Sequence, residues 1–152
     1  MALPDIFSQE VTDKIIARIH QLQVTTAAHW GKMNVAQMLA HCNVTYEMIY
    51  DDIHPKPNAF AQWLLKVFIK NKVVGEAPYP KGGRTAPQFV ITDAKDFEKE
   101  KQRLIDYIIK TQSLGASYFD QKASHSFGRL STTEWNNMLY KHLEHHLTQF
   151  GV

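Results

Sequence analysis

Ser131-Thr-Thr-Glu-Trp-Asn-Asn-Met-Leu-Tyr-Lys-His-Leu-Glu-His-His-Leu-Thr-Gln-Phe150 is the stretch from which the fold is best read. Ser131 and Glu134 make a Ser-x-x-Glu capping box, which predicts a helix start at this point. Trp135, Met138, Leu139, His142, His146, Gln149 and Phe150 then recur at helical spacing on one face. The upper part of that face is apolar and has to point at a core. The lower part runs on in the same direction but is built from His142 and His146. At i and i+4 their β-carbons lie about 5–6 Å apart. Imidazoles aimed at a core need partners, because an unpaired buried polar group costs roughly 2–7 kcal/mol. A shared metal ion is the most economical partner, and neutral imidazole is the commonest side-chain metal ligand.

Upstream, Val11, Ile15, Ile16, Ile19 and Leu22 predict a helix over Ser8–Leu22. Residues 23–33 read as a connection ending in Trp30-Gly-Lys-Met33. Asn34 with Gln37 is a second capping box, and Val35, Met38, Leu39, Cys42, Tyr46 and Ile49 carry a helix to Tyr50. His41 sits at the edge of that stripe, one turn from Met38 and Thr45. Pro55 and Pro57 break the pattern. Ala59–Val74 reads as one helix with Phe60, Trp63, Leu64, Val67 and Phe68 as its inward face. Gly75–Gln88, with three prolines and three glycines, predicts a long loop of the kind that forms a lid or a substrate wall. A long helix is expected from Asp93 to Leu114, with Phe97, Leu104, Ile105 and Ile108 inward and Gly115 as its stop. Ala116–Leu130 is a connection. No stretch alternates over a strand's length. The expected class is all-α: a four-helix bundle with one additional short helix and the Pro/Gly-rich loop.

Composition bounds the partners. With 152 residues, 44% of them hydrophobic, the chain suits a single domain over residues 1–152 with a substantial core. A net charge of +2 without a basic stripe argues against nucleic acid. Cys42 is the single cysteine, which excludes an intrachain disulfide and a Cys-rich zinc motif and fits a reducing, cytoplasmic compartment. The opening Met-Ala-Leu-Pro-Asp-Ile-Phe has no charged region leading into an apolar run, so no signal peptide is expected. The most apolar window, Phe60–Ile69, is interrupted by Gln62 and Lys66 and is too short to span a bilayer, so no membrane partner is expected.

The histidine pair lacks the Glu that marks the common zinc-protease helix, since residue 143 is Leu. An open metal site takes three protein ligands. His41, near the inward face of another helix, is the candidate third. His145 turns away from the pair on a 3.6-residue helix and reads as helix edge or interface. Cys42 reads as core. Trp30, Trp63 and Trp135 read as core, or as walls of a pocket. Lys81-Gly-Gly-Arg84 is not a phosphate loop and reads as solvated.

Three segments, Trp30-Gly-Lys-Met-Asn-Val-Ala-Gln-Met-Leu-Ala-His41, His125-Ser-Phe-Gly-Arg-Leu-Ser-Thr-Thr-Glu-Trp135 and Lys141-His-Leu-Glu-His-His-Leu-Thr-Gln-Phe-Gly151, resemble the DinB-like (DinB/YfiT) superfamily, in a branch known as a domain of unknown function. Their order and spacing span most of the chain. The resemblance implies a four-helix bundle in which His41, His142 and His146 bind a divalent metal, with zinc or nickel ahead of iron or manganese. Gln149 matches a glutamine that commonly follows the pair, and can orient His146 or a bound water. The branch often has His-Pro before the last helix, where this chain has His125-Ser126. From that loop His125 is a candidate general acid or base. The implied function is a metal-dependent enzyme, a thiol-dependent transferase or a hydrolase acting on a small electrophilic molecule. A low-molecular-weight thiol and a homodimer are the partners it suggests. The alternative is a non-enzymatic metal-binding or interaction module whose ion is structural or a sensor.

Overall fold

The capping residues of the sequence cap helices in the structure, a computed structural model that describes residues 2–152. Ser8 accepts from the Val11 amide and opens α1 (Gln9–Gln21). Asn34 and Gln37 form a reciprocal capping box at the start of α2 (Val35–Tyr50). Two short helices follow, α3 (Ala59–Phe68) and α4 (Lys70–Val74). A 3-10 turn, Pro87–Phe89, precedes α5 (Phe97–Phe119), and Ser131 and Glu134 box the start of α6 (Thr132–Gln149). Each such cap satisfies amide donors that the first helical turn leaves unpaired.

The fold is all-α. In the bundle, α1 and α2 each pack against both α5 and α6, and α5 also meets α6. Ile15 and Ile19, Met38, Leu39 and Tyr46, Leu104 and Ile108, and Trp135, Leu139, Leu143 and Leu147 meet in one buried core. Burying each such aliphatic side chain contributes roughly 1.5–3 kcal/mol. The polar residues of α6 are buried as well. Asn136 accepts from the Ile6 amide at 2.8 Å and donates to the Pro4 carbonyl at 3.1 Å. Asn137 donates to the Val74 carbonyl at 2.9 Å, and Lys141 donates to the Lys72 and Ala77 carbonyls at 3.0 and 2.9 Å. Between α2 and α5, Arg103 bridges two buried carboxylates, Glu47 at 2.6 Å and Glu100 at 2.8 Å. Asn43 donates to Glu100 from the α2 side at 2.8 Å.

Five expectations change. The single helix over Ala59–Val74 breaks at Ile69, so there are two additional short helices rather than one. The break lets α4 turn onto α6, where Lys70 pairs with Glu134 at 2.7 Å and Val74 is buried. The inward face assigned to Phe60, Trp63, Val67 and Phe68 points to solvent, so Trp63 is not core, and Leu64 is half-buried. The long helix starts at Phe97, because the Asp96 carboxylate accepts from the Lys99 amide while Asp93 is engaged by Lys95. Gly115, at φ +74°, interrupts that helix as expected, but one more turn runs to Phe119. The connection beyond it holds a two-stranded hairpin, Ala123–Ser124 with Gly128–Arg129, too short for alternation to register. Among the described residues no helix is long and apolar enough to cross a membrane.

Candidate metal centre

His41 comes from α2, and His142 and His146 come from consecutive turns of α6, which packs on α2. The three rings meet: centroids are 5.0 Å apart for His41 and His142, 4.5 Å for His41 and His146, and 4.9 Å for His142 and His146. One nitrogen from each lies within 4.8 Å of the others, and no further His, Cys, Asp or Glu joins them among the described residues.

In each ring the outward nitrogen is engaged. His41 Nδ1 lies 2.7 Å from the Phe89 carbonyl, which only accepts, so that nitrogen carries the proton. Gln149 donates Nε2 to the Trp30 carbonyl at 2.7 Å, which turns its Oε1 toward His146 Nδ1 at 2.7 Å and fixes the proton there too. The Thr45 hydroxyl meets His142 Nδ1 at 3.0 Å. With Nδ1 held outside, Nε2 of His41 and His146 present lone pairs to the cluster. His41 Nε2 and His142 Nε2 are 3.0 Å apart. Nitrogens around one tetrahedral ion at about 2.0–2.1 Å stand roughly 3.3 Å apart. The donor set therefore fits a divalent cation of the kind imidazole binds, with outer hydrogen bonds of the type that orient ligating histidines.

Electrostatics agree with neutral ligands. Burial lowers the His41 pKa, only partly offset by the bond to Phe89. Burial and the neighbouring imidazoles hold His142 well below the ordinary histidine value. Burial brings His146 down to about 3. His41 and His146 are buried, and His142 is partly buried as a residue with its imidazole surrounded by packed atoms. Three neutral ligands leave the full charge of a bound cation uncompensated.

The surroundings are aromatic. Phe89 packs against His41 at 5.2 Å and His142 at 5.8 Å, which brings the end of the long loop to the site. Gly31 turns at φ +87°, and a β-carbon there would sit 2.7 Å from Gln149 Nε2, so the close approach of the Trp30–Gly31 backbone to Gln149 needs glycine. The other sequence candidates lie around this cluster. His145 is half-buried between Trp30 and Tyr79, with centroids 5.7 and 5.9 Å away. Cys42 is buried in the core. His125 bonds to the Ser126 hydroxyl at 2.9 Å and meets the His54 carbonyl at 3.2 Å; it does not join the three histidines. Lys81 lies 4.4 Å over the Trp30 ring at the edge of an exposed loop.

The family comparison covers nearly the whole chain: the model of DUF1569, a protein of unknown function, matches residues 7–151. The chain belongs to the DUF1569 family. No curated protein and no solved structure matches it. In this DUF1569 chain, two contributors to the site escaped the sequence reading. Thr45 is one helical turn beyond His41, and that spacing was the available signal. The Phe89 contribution is a main-chain carbonyl, which leaves no mark in a sequence.

Proposed function

We propose that the chain is a metal-dependent enzyme of the DinB-like kind, acting in a reducing, cytoplasmic compartment on a small electrophilic molecule. The observation that supports this reading is the convergence of three Nε2 atoms whose Nδ1 partners are all held from outside. A divalent ion bound there supplies Lewis-acid chemistry and draws the pKa of a ligated water or thiol toward neutrality. The rest falls to the protein's own residues. Phe89 holds the His41 proton on Nδ1, and Gln149 does the same for His146, so both Nε2 atoms face inward. Phe89, packed against His41 and His142, limits water on that side of the cluster, and a substrate would approach past His142, the least buried of the three residues. With no carboxylate in the group, an anionic fourth ligand is favoured, as a thiolate or hydroxide would be. Zinc and nickel suit the all-imidazole set, and thiol transfer or hydrolysis suits the electrophile.

One observation favours a structural or sensor ion instead: Phe89 covers two of the three rings. The two readings separate on metal content and activity. Elemental mass spectrometry of untagged protein should find near-stoichiometric metal, lost in His41→Ala and His142→Ala while helical circular dichroism persists. The loaded protein should then turn over in thiol-transfer or hydrolase screens. Metal absent after reconstitution sinks the three-histidine site. Tight metal with no exchangeable water assigns it to the structural role.

A further inference from the structure

The apolar stripe of α3 faces away from the protein. Phe60, Trp63, Val67 and Phe68 are 69%, 55%, 51% and 65% exposed and share an arc of about 140° on a helix turning 100° per residue. Phe60 and Trp63 stack on one another, with centroids 6.2 Å apart. No residue of α3 is buried, and its side toward the protein offers Leu65, which packs against the core only in part. An exposed apolar patch of this kind marks an interaction site.

Charge and area decide what covers it. Between Asn58 and Gly75 there is no acidic residue, while Lys66, Lys70 and Lys72 are present. Lys70 is committed to Glu134 at 2.7 Å, whereas Lys66 and Lys72 are exposed. The four outward side chains offer on the order of 500 Å². A standard protein interface takes about 800 Å² from each partner, and a second copy would also bring two basic helices together. A lipid surface needs no matching shape. It takes aromatic side chains about 5–10 Å into the boundary between headgroups and acyl chains, where tryptophan is favoured, and leaves lysines at the phosphates. Ten residues make a helix about 15 Å long, suited to lie in the plane of the interface rather than cross it. We propose that α3 is an interfacial helix that docks the protein onto an anionic lipid bilayer surface. The expectation that no membrane partner exists came from the impossibility of spanning, which this mode does not require.

Flotation with extruded vesicles tests it, using phosphatidylcholine alone and phosphatidylcholine with about 30% phosphatidylglycerol, whose negative surface attracts basic segments. The expected result is at least about tenfold stronger partition to the anionic vesicles, weakened by salt, with a blue shift of Trp63 emission that Trp63→Phe removes. Phe60→Ser with Phe68→Ser should lower partition by about tenfold or more while circular dichroism stays unchanged, since both side chains are already in solvent. Lys66→Glu with Lys72→Glu should abolish the preference for anionic vesicles. Equal or absent partition to the two vesicles overturns the proposal. So does a dimer in sedimentation velocity that the Phe60 and Phe68 substitutions dissociate, which would assign the face to a second copy. Loss of helix in those variants would show that the stripe supports the fold and would overturn it equally.

Discussion

The Thr45 hydroxyl can either donate to His142 Nδ1 or accept from it. That freedom matters because His142 faces the His41 Nε2 lone pair at 3.0 Å. Without a cation, His142 holds its proton on Nε2 and donates it to His41, and Thr45 donates to Nδ1. With a cation, the proton moves to Nδ1 and Thr45 accepts it, so Thr45 serves both tautomers. Thr45→Val keeps the shape but removes that partner. It should weaken metal affinity about 10–100-fold, whereas Thr45→Ser should hold it near the parent, as measured by competition with a chromogenic chelator. Equal affinity in both variants would remove Thr45 from the site. The lowered histidine pKa values predict a pH dependence in the metal-free protein. His146 titrates at about 3 when folded, against an ordinary value near 6.5 when unfolded. Below about pH 6.5 the unfolded chain therefore binds protons that the native one refuses, and stability falls as pH drops. Urea unfolding between about pH 7 and 5.5, above the carboxylate range, should show a loss approaching 1.4 kcal/mol per pH unit for each such histidine toward the acid end. His146→Gln should flatten the slope; an unchanged slope would mean that His146 is not shielded from protons.

At the level of elements, α2 and α5 are joined by a clamp that has no apolar signature. Arg103 holds Glu47 and Glu100, both largely buried, and each carboxylate keeps one other partner, His54 at 2.7 Å or Asn43 at 2.8 Å. Arg103→Ala should cost about 3 kcal/mol, the low end for breaking a buried ion pair because those partners remain. A loss under about 1 kcal/mol in denaturant unfolding would show that water already shares the network. The sequence displays such features unevenly. Caps at Asn34 and Ser131 and the apolar stripes of the four long helices were legible because both are local patterns. The histidine triad was partly legible, since i and i+4 spacing placed His142 beside His146, while the meeting with His41 depends on how α2 and α6 pack. Asn136, Asn137 and Lys141 look like solvent-face residues and are buried, because their partners are backbone carbonyls and an amide from distant segments. In α3 the periodicity was read correctly and its direction was not. A hydrophobic stripe tells that a face will be covered, and not by which body. The break at Ile69 has no proline or glycine to announce it, because its cause is the docking of α4 on α6.

For the whole molecule, the question is whether the three-histidine cluster is formed without an ion. The three histidines ride on α2 and α6, and those helices are fixed by capping boxes and by an apolar core that includes Met38, Leu39, Leu139 and Leu143. A bundle of this kind differs from small metal-dependent folds, where the binding energy is the folding energy. Chelated protein should therefore keep its helical circular dichroism. Adding the ion should stabilise it only by mass action, about 2.7 kcal/mol at a free concentration 100 times Kd. For a chain of this size that corresponds to a rise in Tm of roughly 5–10 °C. His41→Ala should abolish the rise while leaving the metal-free Tm close to or below that of the parent. Collapse of the helical signal on chelation would reverse the conclusion, since the cluster would then be holding α2 against α6 rather than being held by them. The size of the shift as a function of metal concentration carries the same information more finely. A preformed site gives a Tm that climbs with the logarithm of free metal, and a site that orders the bundle gives two transitions, one for each population.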